Sequence, residues 1–258
     1  MAEFINESMI LDSLRNHPHI VNFIGISCNP DVGPAIITSW MEHGTLTNII
    51  GLDPPSQYRR QMVEQIVDGM SFLKASNVIH GDLKSSNILI SYNGRACIAD
   101  FGLSRFAGNW RSSPPTVAFG LQIAESTLSW LLRVPYPTDC NTRVGAGSPR
   151  WMAPELLLPS QWESAHTTFE SDIFALGMVI YEICSGKIPF HEVNEYMAMI
   201  NIVQGKRPHR PEQVSDDLWF ITTICWASHP SLRPSIDVVK RTLESKSPLD
   251  TQTMKTRR

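Results

Sequence analysis

The stretch that most constrains this chain is His80-Gly81-Asp82-Leu83-Lys84-Ser85-Ser86-Asn87. Ile88-Leu89-Ile90 follows it, and thirteen positions after Asn87 comes Asp100-Phe101-Gly102. Two apolar runs, 88–90 and 96–99, flank Asn93-Gly94, a pairing that marks a β-hairpin. Closing that hairpin brings the Asn87 end back to the Asp100 end. Two carboxylates (Asp82 and Asp100), one ammonium (Lys84) and one carboxamide (Asn87) then share a small volume. Asn and Asp are hard oxygen donors. They suit Mg²⁺, which keeps few protein ligands and takes phosphate oxygens for the rest. The other carboxylate, Asp82, is then available to take a proton or hydrogen bond from an attacking hydroxyl.

Ala153-Pro154-Glu155 stands further along. In this order the pieces resemble the catalytic domain of protein kinases, with its H-R-D-L-x-x-x-N, D-F-G and A-P-E motifs. The resemblance implies an α+β fold of two lobes. A truncated N-lobe, residues 1–42, holds one helix and the strands after it. A mainly helical C-lobe, 43–245, carries an enlarged activation segment, 100–155. A disordered tail, 246–258, follows. The implied chemistry is transfer of the ATP γ-phosphoryl group to a protein hydroxyl. Asp82 would orient the hydroxyl and accept its proton, and Lys84 would neutralise charge on the moving phosphoryl. Asn87 and Asp100 would hold Mg²⁺, and Leu89 would floor the adenine pocket. Thr38 would stand at the back of that pocket. The backbone of Ser39, Trp40 and Met41 would form the hinge that meets the adenine edge. Four further positions take structural roles by the same resemblance. His80 braces the loop rather than acting as a base. Asp172 bonds the loop backbone. Arg233 pairs with Glu155. Glu7 would pair with a lysine on a preceding strand, and read alone it is a solvated helix glutamate.

Lys84, two residues after Asp82, and Gly147-Ser148-Pro149-Arg150-Trp151-Met152 follow the serine/threonine form of the family, with Ser148 placed to meet Asp82 and Lys84. Thr38 to Met41 and Cys225-Trp226 are similar to the tyrosine-kinase-like group. The expectation is therefore a tyrosine-kinase-like kinase with serine/threonine specificity.

Periodicity predicts the surrounding elements. Residues 4–14 read as a helix and 21–27 and 34–38 as strands. Helices are expected over 58–73, 172–184, 218–226 and 236–243. The stripe Met62, Ile66, Val67, Met70 and Leu73 reads as core, and 172–184 as a buried central helix. With 258 residues and 42% hydrophobic content, the chain has ample material for a core. A net charge of -3 gives no reason to expect nucleic acid or an anionic membrane as partner. No apolar run is long enough to span a bilayer. The five cysteines lack metal-ligand spacing and read as reduced thiols, which suggests a soluble, cytoplasmic setting. The partner implied is a protein substrate carrying serine or threonine. Oligomeric state is not legible.

Three departures from the family pattern matter. Gly81 replaces the arginine of H-R-D, which removes the bidentate partner of a loop phosphate. No obligate loop-phosphorylation switch is therefore expected. Residues 1–6 contain neither a Gly-rich loop nor a V-A-I-K lysine. The chain as written is therefore expected to bind ATP poorly and phosphorylate little. Asp100 and Glu155 stand 55 positions apart, with apolar runs at 117–121 and 128–134. The extra segment, about 107–140, is either a real lid or docking element or a translated intron. A kinase whose start lies upstream is one reading; a pseudokinase acting as a protein-binding module is the alternative.

Overall fold

A computed structural model describes residues 2–29, 33–108, 148–158 and 166–245. The extra segment, the lead-in residue Gly147 and the tail 246–258 lie outside the described residues.

The chain opens with α1 (Ala2–Ser13), which buries Ile10 and Leu11 on the face that Leu14 extends. An antiparallel pair follows, β1 (Phe23–Asn29) and β2 (Gly33–Thr38). The strand expected from Val21 begins at Phe23 instead. The Val21 N–H bonds to the Ile98 carbonyl, so that stretch joins the hairpin beyond rather than its own sheet. Ile24 and Ile37 are exposed on this pair.

The rest is mainly helical. A short α2 (Leu46–Ile50) precedes α3 (Ser56–Ala75), whose stripe Met62, Val63, Ile66, Val67, Met70 and Leu73 is buried. Two-residue strands β3 (Val78–Ile79) and β6 (Arg105–Phe106) pair with each other. Between them lies the hairpin β4 (Ile88–Ile90) and β5 (Ala96–Ile98), paired Ile88 to Ile98 through Ile90 to Ala96. α4 (Pro154–Leu157) opens the second half. The buried α5 (Phe169–Ser185), α6 (Glu195–Val203), α7 (Asp216–Cys225) and α8 (Ile236–Ser245) complete it.

α5 is the axis of this half. Thr168 and Ser171 form a capping box at its start, satisfying two otherwise orphaned backbone N–H groups. Every residue from Ser171 to Cys184 is buried. Gly177 allows α7 to approach closely: a Cβ there would sit 3.1 Å from Cys225 Cβ and 3.3 Å from the Thr222 carbonyl oxygen. The described helices include none long and apolar enough to cross a membrane.

Candidate active site

Two loops and one hairpin build the site. β3 delivers the chain to His80. A 3-10 turn over Ser85–Asn87 then passes it to β4. The Ala99 N–H bonds to the Asn87 carbonyl at 2.9 Å, which closes the hairpin and sets Asp100 beside Asn87.

The Asp82 carboxylate accepts three bonds. Oδ2 takes Lys84 Nζ at 2.8 Å and Asn87 Nδ2 at 3.1 Å, and Oδ1 takes the Ser148 N–H at 3.1 Å. A carboxylate offers about four lone-pair sites, so capacity remains for an incoming hydroxyl. Lys84 also donates to Ser148 Oγ at 2.6 Å. Asn87 Nδ2 donates to the Asp82 carbonyl as well, at 2.9 Å. Its own Oδ1 has no protein partner among the described residues and is not buried from solvent.

Asp100 is exposed and sits at φ 62°, a left-handed conformation that side chains other than glycine adopt at some cost. Its Oδ1 accepts the Gly102 N–H at 3.3 Å. Phe101 is fully buried, its ring 5.2 Å from that of His80. Asn87 Oδ1 and the Asp100 carboxylate are two hard oxygen donors at one mouth, and that donor set fits a divalent cation. Among the described residues no group of three His, Cys, Asp or Glu makes a self-sufficient metal cage.

His80 is buried and engaged on both ring nitrogens. Nδ1 accepts the Asp82 N–H at 3.3 Å, so Nε2 carries the hydrogen and faces the Ala99 carbonyl at 3.0 Å. The ring spans the loop and the residue before Asp100. Asp172 accepts the His80 N–H at 2.7 Å and the Gly81 N–H at 2.9 Å. Burial pushes the Asp172 carboxyl up, and those two bonds, with the Arg105 guanidinium nearby, pull it back. Gly81 has φ +84°, and a Cβ there would stand 2.8 Å from the Leu103 carbonyl oxygen.

Glu7 faces the same mouth from α1. Burial pushes its carboxyl up, Asp100 adds to this, and the Phe101 N–H opposes it. Among the described residues no ion pair reaches Glu7. Asn6 Nδ2 donates to the Ser104 carbonyl at 2.8 Å, and Ser104 Oγ donates to the His80 carbonyl at 2.7 Å. The first ties α1 to the segment after Asp100, and the second ties that segment to the loop at His80.

At the end of β2, Thr38 is half-buried opposite Phe23. The Ser39 N–H is taken by the Asn22 carbonyl at 2.9 Å, and the Met41 carbonyl accepts the Gly44 N–H at 3.1 Å. The Ser39 carbonyl and the Met41 N–H are left open among the described residues, one acceptor and one donor two residues apart. Trp40 is 83% exposed. Leu89, half-buried on β4, bridges to Thr45 just past this segment.

Glu155 and Arg233 stand apart from the mouth, joined by two bonds in the core. Three buried groups escaped sequence reading. Arg59 donates to the carbonyls of Pro54, Ile183 and Cys184. Arg150 donates to those of Pro189, Phe190 and Val193. Glu182 bonds to Ser85 and Trp151. The available signal was a lone carboxylate in the apolar run 173–184, because a buried acid needs partners.

A lysine, a carboxamide and a backbone donor converge on one carboxylate, next to an oxygen pair suited to a metal and a strand end with one open acceptor and one open donor. The sequence matches the protein kinase domain over residues 1–243, and the chain belongs to the protein kinase family. Similar curated proteins include two from Dictyostelium discoideum. One is named a probable serine/threonine-protein kinase, drkC, 30% identical over 95% of this chain and 29% of its own length. The other is the dual specificity protein kinase pyk3, 30% identical over 94% of this chain and 16% of its own length. A third, from Acanthamoeba polyphaga mimivirus, carries the name of a candidate serine/threonine-protein kinase/receptor. It is 30% identical over 93% of this chain and 12% of its own length. The chain thus spans less than a third of the length of these relatives.

Proposed function

We propose that this domain transfers the γ-phosphoryl group of ATP to serine or threonine hydroxyls of protein substrates, with Mg²⁺ as its metal. One observation carries the reading: Asp82, Lys84 and Ser148 are mutually bonded beside Asn87 and Asp100. Asp82 orients the substrate hydroxyl and takes its proton. Lys84, fixed between Asp82 and Ser148, puts a positive charge where the phosphoryl moves. Positioning and charge stabilisation are most of what a protein contributes to this reaction. Asn87 Oδ1 and Asp100 are the groups to hold Mg²⁺, which when bound neutralises phosphate oxygens. The Ser39 carbonyl and the Met41 N–H receive the adenine edge, Thr38 backs it and Leu89 floors it. His80, Asp172 and the Glu155–Arg233 pair keep the loops in place, and Glu7 steadies the Phe101 backbone. The serine/threonine choice follows Lys84 and the names of two of the three relatives, the third being a dual specificity kinase. A reducing, intracellular setting follows from this nucleotide chemistry and from four unpaired thiols among the described residues, three of them buried.

The test is transfer of labelled phosphate from ATP to a serine- or threonine-containing protein, using the protein at its natural length. Asp82→Asn should lower kcat by about 10²- to 10⁴-fold with ATP affinity little changed. An Asp82→Asn protein as active as the wild type would overturn the assignment.

A further inference from the structure

Glu182 lies 1% exposed in the apolar body of α5. Its two oxygens are separately engaged. Oε1 accepts Ser85 Oγ–H at 2.6 Å, and Oε2 accepts Trp151 Nε1–H at 3.1 Å. Ser85 Oγ also lies 2.7 Å from Thr47 Oγ1, just after the N-terminus of α2. Ser85 directly follows Lys84, and Trp151 stands three residues after Ser148. One buried carboxylate therefore joins the two loops that meet at Asp82, Lys84 and Ser148.

Holding an acid there is unfavourable. Burial pushes the Glu182 carboxyl up to about 7, and among the described residues only the bonds from Ser85 and Trp151 oppose this. An apolar side chain of the same size would avoid that desolvation, so packing alone does not account for a glutamate. What the carboxylate adds is a pair of directed bonds to two different loops.

We propose that Glu182 is a positioning residue for phosphoryl transfer, fixing the 148–152 segment against the catalytic loop so that Ser148 stays bonded to Asp82 and Lys84. The proposal rests on the kinase reading above. Glu182 itself touches no substrate and acts through Ser85 and Trp151.

Two variants separate positioning from bulk. Glu182→Gln keeps the two side-chain contacts and loses only the weaker approach of the Ser85 N–H: its amide oxygen accepts from Trp151, and its NH₂ donates to Ser85 Oγ, whose proton turns to Thr47. Glu182→Met fills the space and makes neither bond. The readouts, on the protein at its natural length, are kcat, KM for ATP, KM for a serine peptide, and the backbone amide resonance of Ser148. That resonance reports the bond to Asp82 without any need for turnover. Glu182→Met should lower kcat at least about tenfold with KM for ATP within about twofold, and should move the Ser148 resonance. Glu182→Gln should stay within about threefold in kcat and leave that resonance in place. Trp151→Phe, which removes one bond and keeps a ring, should shift both readouts in the direction of Glu182→Met; it serves if Glu182→Met does not fold. An unmoved Ser148 resonance, or an unchanged kcat, in Glu182→Met or Trp151→Phe overturns the proposal. So does a Glu182→Gln protein as impaired as Glu182→Met. If the wild type transfers no phosphate, the kinase reading fails, while the Ser148 resonance still decides whether Glu182 holds the two loops together.

Discussion

Both terminal nitrogens of Arg233 donate to the Glu155 carboxylate, at 2.6 and 2.8 Å, and neither side chain is more than 5% exposed. Arg233 also donates to the carbonyls of Ala227, Ser228 and Glu170. All five guanidinium hydrogens are thus used. The pair binds α4, just after the 148–152 segment, to the start of α5 and the 227–233 turn. Removing one partner strands the other in the core. Arg233→Met should therefore cost about 3–5 kcal/mol of stability, read by urea unfolding. Adding Glu155→Met should cost less than the sum of the single changes, with a coupling of about 0.5–3 kcal/mol. Strict additivity would show that the pair is not a unit.

Gly81 is where the family's arginine is missing, and the backbone there suits glycine. At φ +84°, with the Leu103 carbonyl oxygen 2.8 Å from any added Cβ, a side chain would be strained. Gly81→Ala should destabilise the protein by about 1–3 kcal/mol in thermal unfolding. No guanidinium at this position is available for a loop phosphate. Phosphatase treatment should therefore leave kcat within about twofold, a margin small against the losses expected from removing a charge contact. Loss of most activity on dephosphorylation would contradict this.

Asp172 holds the His80 and Gly81 N–H groups with two oxygens, 2.7 and 2.9 Å away. Asp172→Ala should leave both donors buried without an acceptor, at about 1–3 kcal/mol each. Activity should fall along with stability, because the backbone that carries Asp82 loosens. Denaturant midpoints and kcat measured on the same variant check this. A variant with normal stability and normal kcat would show that the clamp is dispensable.

Glu182 gives stability a pH dependence of definite sign. Burial raises its folded value from 4.5 to about 7. Between those two values the folded state binds more protons than the unfolded one, so its contribution falls as pH rises through that window. At about 1.4 kcal/mol per pH unit, the full span is about 3 kcal/mol. The Glu182→Gln protein should gain on the wild type from pH 5 to pH 8, read as the difference between their unfolding free energies. A difference independent of pH would show that Glu182 does not titrate there.

Much of this was readable in advance, for definite reasons. Asn87 and Asp100 are brought together by a hairpin whose turn residues, Asn93-Gly94, announce it, so their closeness is local. The stripe Met62 to Leu73 repeats at helical spacing, and all its members are buried. Strand starts were less legible. Val21 reads as β-strand by type, but its N–H is drawn to Ile98, a partner 77 residues away. The bonds of Glu182 and Arg150 depend on loops far apart in sequence, and nothing local encodes such meetings. The short α2 and α6 carry too few turns for a clear period.

The most direct test is calorimetric titration of ATP into the protein at its natural length, with and without Mg²⁺, for the wild type and Asp100→Asn. Among the described residues exposed Asp100 is bonded only to the Gly102 N–H and Asn87 Oδ1 is open, so both are available to a metal. Mg²⁺ should tighten ATP binding to the wild type by about tenfold or more, and Asp100→Asn should lose that gain while still binding ATP weakly. Equal ATP affinity with and without Mg²⁺ in the wild type, or an undiminished Mg²⁺ effect in Asp100→Asn, would contradict the site described.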